Sequence, residues 1–329
     1  MEENNTIITR FAPSPTGFLH LGTYRTAIFA YLFAKKNNGK FILRIEDTDK
    51  ERNKQEYEDA ILESLKWLNM PYDEFYRQSE HVETHKKYLE KMIMDDNAYI
   101  SKEEAKDGSG VIKEIVRFKN PNIDVTFTDM IKGTVTMHTK DLGDFVLAKN
   151  LNEPLFHLAV VVDDFEEGVT HVIRGEDHTS NTPRQILIQR AIGAPTPIYA
   201  HLPLVLGPDK LKLSKRRGAL AISEYKKMGY LPDAILNGTS FVGWNPGTSK
   251  EIFTHDELIE YFDLSRVQKS PAVFNEVKLD WFNKEHMKLL PIEEVEQNIL
   301  ENLPESMQNK KLVPIIFDRI SKWSDVKNM

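Results

Sequence analysis

Hydrophobic positions follow two spacings in turn along the first 95 residues. A short β-branched run, Thr6-Ile7-Ile8-Thr9, predicts a strand, and the periodic run Ala27-Ile28-Phe29-Ala30-Tyr31-Leu32-Phe33 predicts a helix from about Thr23 to Asn38. Asn37-Asn38-Gly39 stops that helix. Lys40–Glu46 reads as a second strand, with Phe41, Leu43 and Ile45 on one face and Arg44 and Glu46 on the other. Asp47 or Thr48 is placed to cap the next helix, expected over Lys54–Leu68 with Ala60, Ile61, Leu65 and Leu68 along one side. Pro71 closes it, and a further helix is expected over Val82–Asp95. Strands alternating with helices point to a parallel sheet in an α/β fold.

The pattern changes near Ala98. Short strand-like pieces, Val111–Phe118, Val125–Phe127, Gly133–His138 and Asp144–Ala148, are separated by turn material such as Lys106-Asp107-Gly108-Ser109-Gly110. This reads as a small, mainly β insertion. Leu158-Ala159-Val160-Val161-Val162 then suits a strand or a helix buried on both sides. Gly168–Arg174 and Tyr199–Leu206 are expected strands, with a helix over Pro183–Ile192 between them. From about Ile222 the helical period dominates, and Lys311–Met329 can form one more amphipathic helix.

Composition narrows the class. The chain has 329 residues, 40% apolar and 28% charged, as in an ordinary soluble globular protein of two or three domains. The acidic Met1-Glu2-Glu3-Asn4-Asn5 has neither the basic nor the apolar region of a signal peptide, and no apolar run approaches the ~20 residues of a membrane-spanning helix. A cytoplasmic enzyme away from the membrane is expected. There are no cysteines, which excludes disulfides, thiolate metal sites and cysteine nucleophiles. The net charge of −7 argues weakly against gross nucleic-acid affinity, although local basic clusters can still bind phosphates.

The candidate chemistry gathers at strand ends. Phe11–Thr23 links the first strand to the first helix, with Pro13 and Pro15 stiffening the turn and Gly17 and Gly22 allowing close backbone approach. His20 stands where a helix N-terminus presents free N–H groups, a geometry suited to polyphosphate. Arg10, Glu46, Arg174 and the basic loop Gly207–Gly218 all fall at or just beyond carboxyl ends of expected strands, the edge at which parallel sheets bind ligands. Taken singly, each charge is equally explained by a local salt bridge. Lys212-Leu213-Ser214-Lys215-Arg216 offers cations that can fold over an anionic leaving group.

The pairing of His20-Leu21-Gly22-Thr23 with Lys212-Leu213-Ser214-Lys215-Arg216 resembles the two signatures of class I aminoacyl-tRNA synthetases. Arg10-Phe11-Ala12-Pro13-Ser14-Pro15-Thr16-Gly17, Arg44-Ile45-Glu46-Asp47-Thr48-Asp49 and Val172-Ile173-Arg174-Gly175-Glu176-Asp177-His178 resemble the glutamyl-tRNA synthetase family of bacterial type. The resemblance implies a Rossmann-like parallel-sheet catalytic domain in two halves, 1–97 and 156–221, split by a small α+β acceptor-stem-binding insertion at 98–155. An all-α stem-contact domain at 222–310 and a stub of an anticodon-binding domain at 311–329 would follow.

The same resemblance implies site roles. ATP would lie against Ser14, Thr16, Gly17, His20, Gly22 and Lys215, with His20, Lys212 and Lys215 acting on its phosphates. Glutamate would meet Arg10, Ser14, Glu46, Phe156 and Arg174, the guanidiniums suiting its carboxylates and Glu46 its ammonium. Mg2+ is implied by ATP chemistry without a dedicated protein metal site. The expected partners are L-glutamate and tRNA(Glu), and the expected state is a monomer. Phe156 stands where the family usually has tyrosine, so a hydroxyl contact is missing, and Val160 and His178 vary between subtypes. Two other readings stay open at this point: a glutamyl-queuosine tRNA(Asp) synthetase, and a non-catalytic tRNA-binding paralogue. The intact Lys212–Arg216 word speaks against both.

Overall fold

A computed structural model describes residues 6–104, 110–214 and 219–329. In chain order it begins β1 (Ile8–Phe11), α1 (Leu21–Lys36), β2 (Lys40–Ile45), α2 (Gln55–Trp67), β3 (Glu74–Arg77) and α3 (Val82–Met94). Then come β4 (Ala98–Glu104), β5 (Ile112–Phe118), β6 (Asp124–Asp129), β7 (Gly133–His138), β8 (Val146–Asn150) and β9 (Glu153–Pro154). These are followed by α4 (Phe156–Glu166), β10 (His171–Gly175), α5 (Thr182–Ile192), β11 (Ile198–Leu202) and β12 (Val205–Leu206). The remainder is α6 (Ile222–Lys227), α7 (Pro232–Ser240), α8 (His255–Tyr261), β13 (Ala272–Val273), α9 (Glu276–Met287), α10 (Ile292–Asn302) and α11 (Val313–Arg319).

The chain divides into two compact units. One comprises Met1–Ser14, Asn38–Glu51 and Tyr72–Leu202. Its seven-stranded sheet has the order β3-β2-β1-β10-β11-β6-β7. Every neighbouring pair is parallel except the β6–β7 hairpin at the edge. Strand order reverses between β1 and β10, the switch point at which such sheets open a crevice beyond their carboxyl ends. Leu158, Val160, Val161 and Val162 of α4 join Leu89 and Met92 of α3 and Ile186 and Leu187 of α5 in one apolar core with Val172 and Tyr199 of the sheet. The apolar run at 158–162, open between strand and helix on sequence, is therefore a helix. A four-stranded sheet, β4-β5-β8-β9, accompanies the larger one, whereas β6 and β7 from the same stretch of chain belong to the larger sheet.

The other unit comprises Pro15–Asn37, Arg52–Pro71 and Pro203–Met329. Here α1 is buried on nearly every side, as its unbroken apolar character requires. Phe29 meets Phe262 edge-on, 5.2 Å between ring centres, and Arg25 donates to the carbonyl of Val242 at 3.0 Å and to that of Pro203. Gly238 on α7 leaves room for Leu279 and Phe282 of α9; a Cβ there would lie 2.6 Å from Leu279 Cδ1. Met287, Val295, Ile299, Val313 and Trp323 form a second core in the C-terminal helices.

Candidate active site

The first unit brings Arg10, Glu46 and Arg174 to the carboxyl edge of adjacent parallel strands, all three buried. Arg10 grips Asp164 with Nε 3.1 Å from Oδ1 and Nη2 3.4 Å from Oδ2. Arg44, wholly buried, lies on the same carboxylate, Nη2 2.8 Å from Asp164 Oδ1, and also reaches Glu46 at 3.4 Å and Glu167 at 2.6 Å. Asp163 accepts from Gln78 at 2.7 Å, from His85 Nε2 at 2.6 Å and from His81 Nδ1 at 3.3 Å. Asp164 thus couples the guanidinium of Arg10 to the one that steadies Glu46.

Asp163, Asp164 and Glu167 were not among the residues expected from sequence. Their signal was a pair of carboxylates closing a fully apolar run, since charges in such company are buried only when paired. Asp47 also differs from expectation. It accepts from Ser79 N at 2.8 Å and Ser79 Oγ at 2.6 Å, so it caps the turn at 78–81, and α2 begins after Lys54 with no side-chain cap.

The ionisation of this cluster follows from its surroundings. Burial opposes the charge of Asp163, yet the bonds from His81 and His85 together with Arg44 hold its carboxyl well below the usual range. Asp164 is likewise held low, burial being outweighed by Arg10 and Arg44. Burial raises Glu46 despite both arginines. Glu167 is pushed up to about 7 by burial, with Arg44 only partly offsetting it. Its Oε1 is buried and has no hydrogen-bond partner among the described residues, an oxygen ready to carry a proton.

That value carries a prediction with a definite sign. The folded-state pKa of Glu167 lies above its ordinary 4.5, so its favourable contribution is complete below about pH 4.5 and is lost as pH rises through 7. Wild-type stability minus that of Glu167→Gln is expected to fall by about 1–3 kcal/mol between about pH 5 and about pH 8, read by urea denaturation. A difference that stays flat contradicts the assignment.

Arg174 is held by neutral groups. Its Nε donates to His201 Nε2 at 3.1 Å and its Nη2 to Thr182 Oγ1 at 2.9 Å, with the guanidinium carbon 5.3 Å from the centre of the Tyr199 ring. Burial lowers its pKa to about 10, which leaves it cationic at neutral pH. Phe156 opens α4, with its ring 5.8 Å from that of His178. Burial depresses His178 to about 4, with the charge of Arg174 adding to the effect, so its imidazole is neutral. Ser14 is exposed early in the connection between β1 and α1.

The second unit holds the turn from Pro15 onward and the described residues of both signature segments. Thr16 and Gly17 are half-buried before α1, and Lys54 N donates to Pro15 O at 3.2 Å, tying the start of α2 to that turn. His20 is the N-cap of α1, its carbonyl accepting from Thr23 N at 2.9 Å and Tyr24 N at 3.2 Å. Gly22 makes room for the imidazole: a Cβ on it would lie 3.0 Å from His20 Cε1. Gly207–Leu213 folds back on itself through Gly207 N to Leu211 O and Leu213 N to Val205 O, both 2.8 Å, and presents Lys212 to solvent. Leu213 is buried, and its Cδ2 lies 3.8 Å from where a Gly22 Cβ would stand, while His20 pairs with Ala221 in an isolated β-bridge. The early signature and the described start of the late one, nearly 200 residues apart in the chain, are side by side. Lys215 lies outside the described residues.

Residues 6–108 and 100–281 match the family model of the catalytic domain of class I tRNA synthetases, E and Q. The chain belongs to that family. Among its relatives, the glutamate–tRNA ligase of Aquifex aeolicus is 48% identical over 320 residues, covering 87% of this chain and 68% of the relative. Glutamate–tRNA ligase 1 of Petrotoga mobilis is 45% identical, covering 90% and 68%. The crystal structure of a glutamate tRNA ligase from Elizabethkingia meningosepticum, in complex with its amino acid, superposes with a TM-score of 0.90 at 32% identity, covering 98% of this chain and 79% of that one. The class I catalytic fold accounts for the mostly parallel sheet described above. Among the described residues, no helix is long and apolar enough to cross a membrane, and no group of three or more acidic or histidine side chains is arranged to hold a metal ion.

Proposed function

We propose that the chain ligates L-glutamate to the 3′ end of tRNA(Glu) through glutamyl-adenylate, releasing pyrophosphate and then AMP. The observation that carries this reading is the seating of Leu213 against Gly22 beside His20, which joins the two nucleotide-handling signatures in one unit. The names of the relatives, all glutamate–tRNA ligases, support it and do not favour the queuosine-modifying or non-catalytic alternatives.

In this reading Ser14, Thr16, Gly17, His20 and Gly22 receive ATP, with the N-terminus of α1 and His20 toward its phosphates. Lys212 and Lys215 offset charge that grows on the α-phosphate and the departing pyrophosphate. Glutamate's carboxylates pair with Arg10 and Arg174, its ammonium with Glu46, and Phe156 packs beside it without a hydroxyl contact. Its α-carboxylate attacks the α-phosphorus, and the terminal ribose hydroxyl of the tRNA then attacks the activated carbonyl. Positioning and charge stabilisation carry the rate, with little acid–base work. Mg2+ is proposed to arrive on the ATP phosphates, and no step is routed through a protein-held metal. Residues 98–155 and 222–310 are proposed to contact the tRNA stem, with the chain acting as a monomer in the cytoplasm.

Aminoacylation assays with unmodified tRNA(Glu) and with queuosine-containing tRNA(Asp) test the proposal. Charging of the first alone is expected. Transfer of glutamate to the second alone replaces this reading with the queuosine one.

A further inference from the structure

Arg10 and Arg174 reach the same sheet edge but are held by opposite chemistry. Arg10 rests on a carboxylate, Asp164, which offsets its charge. Arg174 rests on an imidazole and a hydroxyl, which do not. The imidazole is itself constrained. His201 is fully buried, with Nδ1 2.6 Å from Asp129 Oδ2, and its backbone N donates to that same oxygen at 3.0 Å. The other oxygen of Asp129 accepts from Ile131 N at 2.9 Å and Lys132 N at 2.7 Å. Four donors therefore lock the carboxylate in place.

The proton positions follow from what each partner can do. An ionised Asp129 only accepts, so Nδ1 of His201 carries the hydrogen. Arg174 only donates, so Nε2 is bare. Protonation of both nitrogens would set an imidazolium N–H against the guanidinium N–H. Burial and the nearby Arg174 charge keep His201 below its ordinary pKa, in agreement with the neutral tautomer. Among the described residues, Nη1 of Arg174 has no hydrogen-bond partner, its bonds running from Nε and Nη2.

We infer that Asp129 and His201 are positioning residues that fix Arg174 through a neutral acceptor, leaving its full positive charge for an anionic substrate side chain and so favouring glutamate over uncharged amino acids. A carboxylate in place of His201 would steady the guanidinium equally well but would compete with the substrate for it. The inference rests on the proposed binding of glutamate at Arg174, taken here through its side-chain carboxylate, and it adds the groups that make that arginine selective.

The test combines kinetics with nitrogen-15 NMR of the histidine side chains in the full chain, the His201 signals being assigned by correlation with its backbone amide. Wild type is expected to show the Nδ1–H tautomer at His201. Asp129→Asn presents an amide that no longer demands that proton, so the Nε2–H form is expected to appear and to turn a donor toward Arg174. The KM for glutamate is then expected to rise about 10- to 100-fold, the worth of one hydrogen bond to a charged group, with the KM for ATP unchanged. His201→Gln, whose side-chain oxygen can occupy the Nε2 position, is expected to stay within a few-fold of wild type, whereas His201→Leu follows Asp129→Asn. An Nε2–H or doubly protonated His201 in wild type overturns the inference even if every variant fails to fold. So does an equal rise in both KM values. Absence of glutamate-dependent activity in wild type would instead contradict the ligase reading, while the tautomer still decides the role of His201.

Discussion

Replacing Arg44 by Met is expected to destabilise the chain by about 3–5 kcal/mol at neutral pH, the usual cost of stripping one partner from a buried ion pair. Arg44 is fully buried and its guanidinium reaches Asp164, Glu167 and Glu46 within 3.4 Å. Without it, Asp164 keeps Arg10 and Asp163 keeps His81 and His85, but Glu167 loses the cation 2.6 Å from its carboxylate. Two responses distinguish charge from simple packing. The loss shrinks at about pH 5, where Glu167 is protonated in both proteins. It also shrinks when Glu167→Gln is added, as a double-mutant cycle between neighbours should reveal. Urea denaturation of the four proteins at two pH values reads both. A loss that ignores pH and the second substitution assigns Arg44 a packing role only.

Replacing Lys215 by Ala is expected to slow glutamate-dependent ATP–pyrophosphate exchange on the order of 10²–10³-fold. Bond breaking at the α-phosphorus moves charge onto the leaving pyrophosphate, and an ammonium that meets it only in the transition state lowers the barrier without tightening ATP binding. The loss is therefore expected in kcat, with the KM for ATP nearly unchanged. Lys212, proposed to share the task, stands on a hairpin fixed by Leu213 N to Val205 O, and its removal is expected to have the same direction. Lys215→Arg keeps the charge on a larger, planar group and is expected to recover part of the rate. Exchange by Lys215→Ala at the wild-type rate removes the loop from the mechanism.

Local rules carried the reading of the fold furthest where pattern and burial agree. The strand–turn–helix around His20, the helix ending in Asn37-Asn38-Gly39 and the hairpin strand Gly133–His138 were legible because periodicity, turn residues and caps coincide there. Four strands were not expected: β3, β4 and the two-residue β9 and β13. β3 at Glu74–Arg77 is half-buried along its length, and β4 at Ala98–Glu104 exposes apolar Tyr99 and Ile100 as well as charged Lys102 and Glu104, so neither alternates clearly. The split of Tyr199–Leu206 into β11 and β12 turns on Pro203, which lacks the N–H that would continue the ladder.

At the site, residues at strand ends were visible because parallel topology brings such ends to one edge. Their partners were not. Asp164 lies 154 residues from Arg10, and Asp129 lies 72 from His201. Pairings so distant depend on the register of α4 against the sheet and of β6 beside β11, which local pattern does not contain. His201 was further concealed by its setting, since a histidine inside the apolar word Tyr-Ala-His-Leu reads as core.

One measurement bears most directly on the central claim: pyrophosphate release by this chain with glutamate, ATP and tRNA(Glu) supplied together. The predicted result is glutamate-dependent release accompanied by glutamyl-tRNA, both abolished when glutamate is omitted. A folded chain that binds tRNA yet releases no pyrophosphate under these conditions would contradict the catalytic account and leave a tRNA-binding protein in its place.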